Sequence, residues 1–98
     1  MDEQSTRDRI QAHADAVVAG DIETVTNDFS EPLRPQVPQI AQSLPQPVKT
    51  AEVLSVEFEG DEAIAEIRYS GDAAAQTIRT HWQEIGGEPQ IVDGEPVD

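Results

Sequence analysis

Twenty acidic against six basic side chains over 98 residues leave a net charge of −14. A phosphate backbone or an anionic bilayer needs a basic face, and six scattered cations supply none, so neither nucleic acid nor membrane is expected as a partner. The absence of cysteine excludes a disulfide frame, a thiolate nucleophile and a cysteine zinc site.

This length makes one domain over residues 1–98 with a single core. Only four aromatic residues are present, so each large side chain weighs heavily on stability. No apolar run approaches the roughly eighteen residues of a membrane span. The acidic start Met1-Asp2-Glu3-Gln4 is unlike a signal peptide, so a cytoplasmic location is expected, with residues 1–4 as a frayed tail.

Ser5 and Asp8 have the spacing of a capping box, which would start a helix there. Ile10, His13, Ala14, Val17 and Val18 then recur at three and four, one apolar stripe, until Gly20 supplies the left-handed stop. Asp21 is placed to cap a short second helix with Ile22, Val25 and Phe29 inward. Beyond Glu31-Pro32, residues Leu33, Val37, Ile40, Ala41 and Leu44 keep helical spacing for a third, with Pro35 and Pro38 tolerable only near its first turn. Leu44-Pro45-Gln46-Pro47 predicts an extended exit.

From Val48 the period becomes two. Gly60-Asp61 and Gly86-Gly87 each sit between alternating runs and predict two-residue hairpin turns. The first turn sets Phe58 against Ala63, Val56 against Ala65 and Leu54 against Ile67. The second sets Trp82 against Ile91, His81 against Val92 and Thr80 against Asp93. Between the hairpins, pairing Tyr69 with Gln76 brings Ile67 to Ile78, Ala63 to Trp82 and Glu66 to Arg79, so that large meets small and opposite charges meet. The expected architecture is α+β: three N-terminal helices covering one face of a curved four-stranded antiparallel meander.

Three helices before such a meander, the run Ala14–Gly20-Asp-Ile-Glu-Thr-Val, and Arg79-Thr-His-Trp82 ahead of Gly87 and Ile91-Val-Asp93 resemble the nuclear-transport-factor-two-like superfamily. Its members have a cystatin-like α+β cone and include polyketide cyclases and ketosteroid isomerases. The segment that this superfamily often inserts between its second and third helices is missing, so the chain resembles a shortened member. The resemblance implies a ligand cavity under the helices and pairing of two copies through the open sheet face.

His13 on the helical stripe and His81 on the sheet face away from Trp82 are the two candidate bases, and the pattern reveals no carboxylate to orient either. No His-x-His or His-x-x-x-His pair exists, so no metal site is expected, and no cofactor motif occurs. Candidate ligand-binding residues on the inner face are Tyr69, Thr80, Asp93, Trp82 and His13. Their bland counterparts are a wet edge row of Glu52, Tyr69 and Gln76, a core tryptophan, and Asp93 as a strand-end acceptor. The leading expectation is a non-catalytic homodimeric interaction domain. A pocket for a small hydrophobic ligand, of isomerase or cyclase type, is the alternative, and an accessory subunit of a larger complex is a third.

Overall fold

Asp2 starts the first helix. Its carboxylate accepts the backbone N–H of Ser5 at 2.8 Å, satisfying one free donor of the first turn. The structure, a computed structural model, describes residues 2–97, and helix α1 spans Glu3–Ala19. Residues 2–4 are therefore cap and first turn rather than a frayed tail; Met1 lies outside the described residues. Asp8 does not close a box with Ser5 but accepts from Gln4 Nε2 at 2.9 Å.

Gly20, at φ 73°, closes α1 with a Schellman pair: its N–H donates to Val17 O and that of Asp21 to Ala16 O. Helix α2, Ile22–Asp28, begins on the Asp21 carboxylate, which accepts from the Thr24 N–H and hydroxyl. Val25 and Phe29 turn inward, but Ile22 is 54% exposed. A 3-10 turn over Glu31–Gln36 holds Pro35, and helix α3, Val37–Gln42, carries Pro38 in its first turn. The exit from α3 is a bend containing a cis Gln46–Pro47 peptide, not an extended run.

Strands β1 (Thr50–Glu59), β2 (Glu62–Ser70), β3 (Ala75–Ile85) and β4 (Glu88–Pro96) form one antiparallel sheet in sequence order. Gly86 and Gly87 both have positive φ, as a primed turn between right-twisted strands demands. The β2–β3 register is the expected one throughout, from Ala63 opposite Trp82 to Tyr69 opposite Gln76. The outer pairings slip at two bulges. In β1 the register shifts between Val53 and Ser55, so Val53, not Leu54, lies opposite Ile67. Leu54 is left 48% exposed, and Val53 joins the inner face. In β4, Trp82 still faces Ile91, but His81 faces Asp93 and Thr80 faces Gly94. Val92 is the extra residue. A bulge adds one residue to one strand, and with a side-chain period of two everything beyond it changes face.

The helices lie on the inner face. Ile10 and Ala14 of α1 pack with Ala63, Ala65, Ile67, Trp82 and Ile91, all fully buried. Alanines at 63 and 65 leave room beneath the helix for the Trp82 ring. The N–H of Ser30 donates to Ile91 O at 2.9 Å, beside a single parallel bridge between Phe29 and Ile91. That contact ties the end of α2 directly to β4 where an inserted segment was expected to be missing.

Candidate functional site

Helices α1 and α2 fold back on each other about Gly20-Asp21, so residues about equally far from that junction meet. His13 and Asp28 are such a pair: His13 Nδ1 lies 2.9 Å from Asp28 Oδ2, and both side chains are buried. Arg9 sits one turn before His13 on the same helical face. Its Nε lies 3.0 Å from the other oxygen, Asp28 Oδ1, in an ion pair whose N–H is poorly aligned for a hydrogen bond. Arg9 Nη1 also reaches Glu88 of β4 at 3.9 Å. A carboxylate only accepts, so Nδ1 is the nitrogen that donates to Asp28, and in the neutral ring Nε2 is left as an acceptor. Phe29 and Trp82 meet the ring edge-on at 6.0 and 5.5 Å and fix its plane.

His13 forms part of the wall of a cavity of about 310 Å³ between helices and sheet. Val17, Val25 and Ile40 represent its apolar roof, and Ile78, Thr80 and Tyr69 its sheet side. Val18 and Ile22 at the junction of α1 and α2, both well exposed, also border it. Tyr69 is 3% exposed, which removes it from the wet edge row expected for it. Burial pushes its phenol far above the usual range, and the negative charge of Asp28 adds to that. The group thus remains an O–H donor.

Of the five candidate ligand-binding residues, His13, Tyr69 and Thr80 border the cavity. Thr80 is already engaged, donating to Ala65 O at 2.9 Å and accepting the indole N–H of Trp82 at 2.8 Å. Trp82 is fully buried behind His13 and outside the cavity lining. Asp93, contrary to expectation, also lies outside the cavity lining. The β4 bulge puts it opposite His81 rather than Thr80, exposed, with its Oδ1 accepting the Gly94 N–H. The carboxylate that serves the interior is Asp28, which sequence reasoning passed over. Its signal was the fold-back geometry around Gly20-Asp21.

His81 also has the carboxylate orienters that the pattern concealed. On the outer face Glu62 Oε1 lies 2.8 Å from Nδ1 and Glu95 Oε1 3.0 Å from Nε2, a clamp across β2, β3 and β4. Glu52 is exposed beside Arg68, and Gln76 pairs with Tyr69 at half burial. Among the described residues no cluster of three or more metal-type ligands occurs. Chemically, the interior can bind an apolar molecule and exchange a proton at His13 Nε2, the ring being held by Asp28.

Neither a protein-family model nor a curated protein sequence matches the chain. Among the solved structures similar to it are the following two. An NTF-2 like protein of unknown function from Burkholderia xenovorans LB400 shares 18% identity over 98% of this chain and 85% of that one, with a TM-score of 0.71. A SEC-C motif containing protein from Rhodopseudomonas palustris shares 17% over 92% and 77%, with a TM-score of 0.66. At these identities the likeness is one of fold. The chain has the nuclear-transport-factor-two-like fold that its helix junction and strand tryptophan implied.

Proposed function

We propose that this protein binds a small, largely apolar molecule in the cavity between its helices and sheet. The observation that carries this is the open interior itself, about 310 Å³ with the His13–Asp28 pair at its wall. A domain serving only as a docking surface gains from filling that space, because empty apolar volume costs stability. The volume lies at the low end for ligand sites, which sets the scale of the occupant. Two-dimensional NMR with a set of small neutral aromatic fragments tests the reading. Expected are shifts confined to α1 from His13 on, α2, α3 with the segment up to Val48, and the Tyr69–Thr80 strands, abolished when Ala41→Phe fills the cavity. Shifts on the outer sheet face alone, or none at all, would refute it.

The outer face supports a second reading, a homodimer. Leu54 and Ile85 are 48% and 42% exposed there, around Ile64 and the Arg79–Glu66 ion pair. Apolar residues interleaved with a neutralised charge pair suit a two-fold contact between chains that otherwise repel. Light scattering coupled to size exclusion decides it. A mass near 10.7 kDa at every concentration would exclude the dimer and leave this face to a different protein, as in an accessory subunit. A mass of twice that should fall on Ile64→Asp.

A further inference from the structure

We infer that the occupant of this cavity is a neutral molecule bearing a hydroxyl group, a phenol or alcohol on an apolar skeleton, and that carboxylates of the same skeleton are rejected. This rests on the pocket reading above and adds the ligand's chemistry to it.

Charge comes first. No Asp, Glu, Lys or Arg borders the cavity among the described residues. Of the nearby cations, Arg9 is already paired with Asp28 on the Nδ1 side of His13, and Arg34 Nε donates to Phe29 O. An anion entering would leave water for an apolar wall with no free countercharge, which disfavours the charged form. The −14 charge of the chain opposes its approach as well.

The unused polar atoms then specify what a neutral ligand needs. Thr80 Oγ1 is spent on Ala65 O and the Trp82 indole, Gln46 Nε2 on Ala41 O, and His13 Nδ1 on Asp28. His13 Nε2 and the Tyr69 hydroxyl have no hydrogen-bond partner among the described residues, and both residues border the cavity. The first accepts; the second is a phenol held protonated by its burial. A hydroxyl can donate to one and accept from the other. A hydrocarbon satisfies neither, and a carboxylate cannot donate.

Three probes on one skeleton test this at pH 8: 4-ethylphenol, 4-ethyltoluene and 4-ethylbenzoate, titrated by calorimetry and NMR. 4-Ethylphenol should bind on the order of tenfold more tightly than 4-ethyltoluene, the ratio one hydrogen bond gives, and should move the His13 ring nitrogen resonances. 4-Ethylbenzoate should bind more weakly than either. Tyr69→Phe should remove part of the phenol's advantage over 4-ethyltoluene, because it deletes a hydroxyl that has no hydrogen-bond partner among the described residues. If 4-ethylbenzoate or 4-ethyltoluene binds as well as the phenol, the hydroxyl inference is wrong and the pocket stands. If no probe binds, the pocket reading falls and the inference with it.

Discussion

Asp28 is the residue on which the interior turns, because one buried carboxylate serves both Arg9 and His13. Removing one partner of a buried pair leaves the others desolvated and uncompensated. Asp28→Ala should cost about 3 kcal/mol in urea unfolding, and a loss under about 1 kcal/mol would show that Arg9 and His13 find water or other partners. Trp82 is fully buried and packs on His13. Trp82→Ala should cost roughly 3–5 kcal/mol by the same measurement, the range for a large aromatic excised from a core. His81 gives the pH dependence. Hydrogen bonding to Glu62, then to Glu95, raises its pKa from 6.5, while the His81 bond, then Gln83, lowers that of Glu62 from 4.5. The histidine's contribution is complete below pH 6.5 and fades as pH rises through the raised value. That of Glu62 is complete above pH 4.5 and fades as pH falls through the lowered one. The stability difference between wild type and His81→Ala should therefore be widest between pH 4.5 and 6.5 and shrink on both sides; a pH-independent difference would mean the clamp carries no charge.

Among the elements, the α1–α2 junction depends on one backbone conformation. Gly20 has φ 73° with open space around its missing Cβ, so a side chain there meets strain rather than a clash. Gly20→Ala should lower stability by about 1–2 kcal/mol, and Gly20→Asn by less, since asparagine tolerates the left-handed region. Equal melting temperatures for Gly20→Ala and wild type would show that the junction relaxes. Helix stops and hairpin turns of this kind were legible because a glycine or a capping aspartate marks them chemically. The bulges at Leu54 and Val92 were not. Each adds an apolar residue to an alternating run, and only the partner strand shows which of the two neighbours is extra.

For the whole molecule, charge is the dominant feature. At −14 on 98 residues, self-repulsion opposes the compact state, and salt screens it over about 10 Å at 0.1 M. The Asp28–His13 pair is buried and half-buried Arg9 sits beside it, so this set is screened less than the surface charges and should change little. Melting temperature should thus rise steadily across a sodium chloride series, whereas a flat or falling series would mean that local ion pairs outweigh the general repulsion.

Pattern and turn chemistry alone determined three helices on an antiparallel meander, the central β2–β3 register and the burial of Trp82. These depend on periodicity, on glycine's access to positive φ and on large residues pairing with small ones, all local or next-strand properties. The tertiary structure decided which carboxylate serves the interior. Asp93 is two residues beyond Ile91 and belonged to the inner face by count, yet one bulge turned it to water. Asp28, fifteen residues from His13, met it because two helices folded about a glycine. Whether the space beneath those helices stayed open was likewise a matter of how far their side chains reached across it, and that is a three-dimensional volume, which no one-dimensional period encodes.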